Sequence, residues 1–330
     1  MRRAVESEQA AIRSAKMRTL AGVLVTLLVT NSCVPAPEIP AVTRDELSLV
    51  LSEVVFDPEM TCAELREAFN VEHLPLVDTP DEVGLAYEEH WLPTAGDGLL
   101  RVWYLPTALD RGVVALSQGS FGAMPCYLFH ARMLAHNGWA VVMYEYRGFG
   151  GSDGEPDVNM LKGDLAAVVD WACGYTGREQ ITLMGISLGA IPSVAVAVEY
   201  PEAVNAVVLD SPVAMGEMIE RLEFALRNQT QLFIDRLAPD LVSEDLIERM
   251  QQPLLVFVGD EDKLTTPASI QLIYDRAAGP KQIVYFPGVG HAREPFRDTG
   301  TYTYHLETFL STVWRQHVPL GLSSSVSESE

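Results

Sequence analysis

From residue 88 onward the apolar positions of this 330-residue chain fall into two repeats, short runs and every third or fourth residue, that take turns along the sequence. Residues 88–92 and 99–105 alternate apolar and polar positions on either side of Ala95-Gly96-Asp97-Gly98, which predicts a β-hairpin. Short, almost wholly apolar runs follow at 113–117, 139–144, 181–184, 204–209, 253–258 and 282–286. Runs of that length read as strands buried on both faces. Between them, 127–136, 161–171, a small-residue stretch ending at Tyr200, 269–277 and 302–315 carry helical spacing. Strand and helix in alternation predict an α/β domain, a parallel sheet with helices on both faces.

Outside this block the pattern changes. Residues 20–30 are nearly continuous apolar sequence, preceded by Lys16 and Arg18 and followed by Asn31-Ser32-Cys33. The run is too short to span a bilayer as a helix, and its flanks are those of an export signal. A cysteine at the cut point resembles the bacterial lipoprotein signal, which implies a lipidated Cys33 at a membrane surface of the cell envelope; Thr30 stands where that pattern usually has Leu. The expected organisation is a signal at 1–32, with Met17 as an alternative start, and a tether at 33–43 containing Pro35, Pro37 and Pro40. A helical extension follows at 44–87, with helices over 44–54 and from a Thr61 cap to Asn70. The main domain is expected at 88–318, and an acidic, serine-rich tail at 319–330. Within the domain, 213–250 is longer than an ordinary connection, and its stripe of Met218, Leu222, Leu226, Phe233 and Leu237 predicts a short helical lid.

Composition removes several function classes. With 45 acidic against 23 basic residues the formal charge is −22, which argues against a nucleic-acid partner. The four cysteines, Cys33, Cys62, Cys126 and Cys173, have no zinc-site spacing, and the seven histidines form no H-E-x-x-H pattern. Cys62, Cys126 and Cys173 cannot all pair within one chain, so the disulfide pairing stays open.

The apolar run at 181–184 ends in Gly185-Ile186-Ser187-Leu188-Gly189, where a strand breaks into a helix. Such a turn exposes a serine hydroxyl and points the N–H groups of the new helix at it. Chance supplies roughly 0.1 such matches in a chain of this length, so the neighbours must decide. A weak nucleophile needs a base, and the base an orienting acid. His291 follows the last strand in Gly288-Val289-Gly290-His291, and the preceding strand ends at Gly259-Asp260-Glu261-Asp262. In a parallel sheet the residues beyond the carboxyl ends of the strands share one rim. Asp262 is the preferred acid, with Asp260 and Asp210 as alternatives. Oxyanion donors are expected at the backbone N–H of Leu188 and, from the loop Gln118-Gly119-Ser120-Phe121-Gly122, of Ser120.

Together with the turn at Ser187, the stretch Tyr144-Glu145-Tyr146-Arg147-Gly148-Phe149-Gly150-Gly151-Ser152-Asp153-Gly154-Glu155-Pro156 closely resembles the α/β-hydrolase family, in particular its BEM46-like serine hydrolases. The resemblance covers roughly residues 88–317. It implies a mostly parallel sheet of about eight strands, a triad of Ser187, Asp262 and His291, and cleavage of a small-molecule ester or thioester without a cofactor. The family commonly has His-Gly where this chain has Gln118-Gly119. The expected function is therefore an exported serine esterase acting on substrates with an apolar acyl group. A peptidase or lysophospholipase on the same fold, or a non-catalytic envelope lipoprotein, are the alternatives.

Overall fold

A computed structural model describes residues 56–94, 98–220 and 241–316. The expected signal, tether, Cys33, the helix at 44–54, the hairpin tip at 95–97, the middle of the expected lid at 221–240 and the tail lie outside the described residues.

One eight-stranded sheet organises the rest, in the order β1-β2-β4-β3-β5-β6-β7-β8. The strands are β1 (Glu88–Pro93), β2 (Leu99–Leu105), β3 (Val113–Ser117), β4 (Ala140–Tyr144), β5 (Ile181–Ile186), β6 (Val204–Asp210), β7 (Leu254–Gly259) and β8 (Lys281–Phe286). The hairpin partners β1 and β2 pair antiparallel, β2 pairs antiparallel with β4, and every later pairing is parallel. The chain leaves β3 towards β4 on one side and β5 towards β6 on the other, so the winding reverses between the neighbours β3 and β5, and the crevice at their carboxyl ends is where an open α/β sheet binds ligands.

The uninterrupted apolar runs are explained by two covered faces. Val113 and Ala115 of β3, with Ala140, Val142 and Tyr144 of β4, enter one layer; Val114, Leu116, Val141 and Met143 enter the other. The first layer is closed by α3 (Leu161–Thr176), α4 (Ala190–Glu199) and α7 (Pro267–Arg276), the second by α2 (Leu128–His136) and α9 (Thr299–Gln316). Each large aliphatic side chain so buried contributes about 1.5–3 kcal/mol against its exposed state. Two short helices, α5 (Met215–Glu220) and α6 (Ser243–Leu246), flank residues 221–240, and α8 (Glu294–Arg297) precedes α9.

Ahead of the sheet, α1 (Cys62–Ala68) starts at Thr61 with a reciprocal cap: Thr61 N–H donates to Glu64 Oε2 at 2.9 Å and Glu64 N–H to Thr61 Oγ1 at 3.2 Å. Its apolar residues have no sheet of their own to cover. A disulfide joins Cys62 to Cys126, and Asp57 pairs with the loop after β3, its N–H donating to Ser120 O and its carbonyl accepting from Gly122 N–H, both at 3.0 Å. Phe56 packs edge-on against Phe149 at 5.3 Å between ring centroids. The extension is thereby fastened across the rim.

Candidate active site

The turn after β5 is shaped by two missing side chains. A Cβ on Gly185 would collide with the backbone of Gly189 and Ala190, and one on Gly189 with the carbonyls of Ser117 and Gln118. Close packing of the turn between β3 and the start of α4 therefore admits only glycine at both ends of the motif. Ser187 itself adopts φ +51°, a left-handed conformation that serine reaches only at a cost of ~1–3 kcal/mol and that surrounding packing must hold. Its hydroxyl is directed to the rim by that strain.

Three residues expected from sequence are brought together there. Ser187 Oγ lies 2.8 Å from His291 Nε2, and His291 Nδ1 lies 2.7 Å from Asp262 Oδ2. With a carboxylate on the Nδ1 side, the ring carries its proton on Nδ1, and Ser187 donates to Nε2. Asp262 is buried and its remaining lone pairs are occupied: Oδ1 accepts from the N–H groups of Leu264 at 2.8 Å and Thr265 at 2.9 Å, and Oδ2 from the Thr265 hydroxyl at 2.7 Å. Burial pushes its carboxyl up, but hydrogen bonding and charge from His291 and the bonds from Thr265 outweigh burial, and the group stays below the ordinary aspartate range. Thr265 Oγ1 also stands 3.0 Å from His291 Nδ1 and 3.2 Å from Ser211 O, which competes with Asp262 for its single hydroxyl proton. Thr265 touches both Asp262 and His291, and the sequence did not single it out.

The other two candidate acids serve elsewhere. Asp260 accepts the N–H of Gly288 at 2.6 Å on an exposed turn. Asp210 is buried at the end of β6, where it accepts the Tyr302 hydroxyl at 2.7 Å. Near it Glu294 is fully buried, accepting Ser211 Oγ at 2.9 Å; burial first, and then the charge of Asp210, push its carboxyl well above the ordinary range.

The expected donor loop lies against Ser187, since a Cβ on Gly119 would be 3.6 Å from Ser187 Cβ. Its conformation is fixed from several sides. Tyr146 Oη donates to Gln118 O at 2.7 Å, Tyr127 Oη to Phe121 O at 2.9 Å, and the Gln118 side chain reaches Gly122 O at 3.1 Å. Gln118 thus closes the loop with an amide. Leu188 is the second residue of the helical turn Ser187–Gly189, where N–H groups have no carbonyl one turn earlier. The 144–156 stretch is the loop's support: beside Tyr146, the buried Glu145 accepts Gly151 N–H at 2.7 Å, and Arg147 pairs with Asp164 through Nε at 2.9 Å and through Nη2.

A pocket of about 50 Å³ opens at the triad. Its lining runs from Gly119, Ser120, Phe121, Ser187 and His291 to Leu65, Phe69, Val71 and Leu74 of the N-terminal extension. No described residue of 213–250 lines it; the extension does. His130, buried, with neither ring nitrogen hydrogen-bonded among the described residues, also lines it. Neither contribution was legible beforehand, because α1 and α2 carry no chemical motif.

The family model described as the alpha/beta hydrolase fold matches residues 122–261. An uncharacterized protein of Mycobacterium tuberculosis is 31% identical over 200 residues, covering 59% of this chain and 69% of that protein. The human alpha/beta hydrolase domain-containing protein 17B is 29% identical over 182 residues, covering 54% of this chain and 58% of its own length. Among solved structures, the Pyrococcus furiosus esterase Pf2001 superposes with a TM-score of 0.60 at 18% identity, covering 72% of this chain and 96% of that one.

Proposed function

The chain belongs to the α/β-hydrolase fold family, and from that premise we propose that it is a serine hydrolase that cleaves carboxylic esters through an acyl-enzyme. The observation that carries the reading is the unbroken relay from Ser187 Oγ to His291 Nε2 at 2.8 Å and from Nδ1 to Asp262 at 2.7 Å. His291 takes the hydroxyl proton as Ser187 attacks the carbonyl carbon. Negative charge then grows on the carbonyl oxygen, to be met by the N–H groups of Leu188 and Ser120. Collapse breaks the ester bond, the alcohol leaves with the proton from His291, and Asp262 stabilises the imidazolium without accepting its proton. Water, activated by the same imidazole, attacks the acyl-enzyme and releases the acid.

The apolar lining supports an ester with an apolar acyl group. The Cys62–Cys126 disulfide supports an oxidising compartment, in keeping with export and an anchor at Cys33. In Ser187→Ala, ester turnover is expected to fall by about 10⁴-fold or more, together with loss of labelling by a fluorophosphonate. Undiminished hydrolysis in that variant would sink the proposal. Cys33→Ala is expected to release the protein from membranes, and unchanged membrane association would remove the anchor from the reading.

A further inference from the structure

We infer that residues 56–74, clamped to the donor loop, form the acyl-binding wall of the site and restrict the enzyme to short acyl chains, with Phe69 as the gauge of chain length. The inference rests on the serine-hydrolase reading and names its substrate class.

Three independent observations converge on the segment. The first is attachment. Asp57 is hydrogen-bonded in both directions to the loop 120–122, and Cys62 is covalently joined to Cys126, four residues beyond that loop. A wall fastened to the loop that is expected to bind the oxyanion keeps a fixed distance from the reacting carbonyl. An acyl group carries its oxygen and its chain on the same carbon, so the element next to the donor loop is the one that meets the chain.

The second is placement. The Phe69 ring is half-buried, 5.9 Å between centroids from Phe121 on the loop and 6.1 Å from His291. It bridges the donor loop and the base across the mouth of the pocket. Leu65, Val71 and Leu74 continue the same surface inward, and Leu74 is almost wholly buried.

The third is size. The pocket has about 50 Å³ of room. An apolar cavity of about 150 Å³ takes one benzene ring, so a space of about a third of that takes only a few heavy atoms. An acetyl to butyryl group fills such a space. A longer chain meets the aromatic wall, and the disulfide and the Asp57 bridge prevent the wall from swinging away as a free lid would.

The test uses the full chain and p-nitrophenyl esters from acetate to decanoate, with fluorophosphonate labelling of Ser187 measured in parallel. The wild type is expected to prefer the short esters, acetate through butyrate, over hexanoate and longer ones. Phe69→Ala is expected to raise kcat/KM for hexanoate relative to acetate by roughly tenfold or more, Phe69→Trp to weaken butyrate relative to acetate, and Cys62→Ser/Cys126→Ser to relax discrimination as Phe69→Ala does. Labelling of Ser187 to completion, at whatever rate, identifies a variant as folded with its nucleophile intact. Should Phe69→Ala be labelled yet keep the wild-type chain-length profile, the wall inference is overturned and the serine-hydrolase reading stands. A wild type that prefers hexanoate or longer esters overturns it equally. A wild type whose Ser187 is inert to the probe overturns the underlying reading and this inference with it. If Phe69→Ala does not fold, Phe69→Leu and the half-buried Leu65→Ala decide by the same profile.

Discussion

A Cβ placed on Gly185 would overlap the carbonyl oxygen of Gly189, four residues further on. The two ends of the nucleophile turn therefore touch, and Ser187 is held at φ +51° between them. Gly185→Ala must separate the ends, moving the hydroxyl relative to His291. Overpacking of this kind costs about 1–3 kcal/mol, and a displacement of about 1 Å at the reacting atom costs on the order of 10²-fold in rate. Folded protein with kcat reduced by about that factor is expected; full activity would show that the contact can relax without moving Ser187.

Asp262→Asn separates geometry from electrostatics. The amide keeps an acceptor for the N–H groups of Leu264 and Thr265, but offers an N–H where His291 Nδ1 needs an acceptor. The ring then takes the other tautomer, and Nε2 donates to Ser187 instead of accepting from it. Turnover is expected to fall by about 10⁴-fold in protein that remains folded. Asp260→Asn, which touches only an exposed bond to Gly288 N–H, should leave kcat within about twofold. Equal losses in the two variants would take the orienting role away from Asp262.

The inner parallel strands were readable because each is covered on both faces, as Val113–Ser117 and Ala140–Tyr144 are. Ser187 and His291 were readable because their chemistry demands particular turns at strand ends. Asp262 was only a preference among three aspartates, since all three lie near strand ends and only the path of the loop decides which carboxylate turns back. Thr265 and the wall of Leu65 and Phe69 were not legible: a threonine three residues past an acid and a capped seven-residue helix are common local solutions, and what they touch is set by the tertiary path of the chain. The Cys62–Cys126 pairing likewise depends on contacts between segments 64 residues apart.

The buried carboxyl of Glu294 makes stability depend on pH. Its folded-state pKa is raised, by burial and then by Asp210, above an unfolded value near about 4.3. The folded protein therefore binds more protons than the unfolded chain, and the stability linked to this group, complete below about pH 4.3, is lost as pH rises towards the folded pKa. Asp262 acts in the opposite sense: its lowered pKa contributes stability above its unfolded value near about 3.9 that is lost only on further acidification, so it adds no slope above pH 5. Urea midpoints at pH 5, 6, 7 and 8 should thus decline more steeply in the wild type than in Glu294→Gln. Parallel curves would mean that the carboxyl is already ionised in the folded protein across this range, as it is in the unfolded chain.

The disulfide closes 64 residues of sequence between Cys62 and Cys126. Loop-closure entropy for that length gives about 4 kcal/mol of stabilisation, acting through the unfolded chain. Cys62→Ser/Cys126→Ser should therefore melt roughly 10 °C lower than the wild type, and the wild type in a reducing dithiol should melt with the variant. The free Cys173 gives the control. Its thiol is half-buried, and burial, then Asp170, push its pKa up, so it is a poor nucleophile for exchange with the pair. Cys173→Ser should leave the melting curve and its response to reductant unchanged. If the double variant and the wild type melt together under oxidising conditions, the clamp has no thermodynamic weight, and the Asp57 bridge and Phe56 packing hold the extension alone.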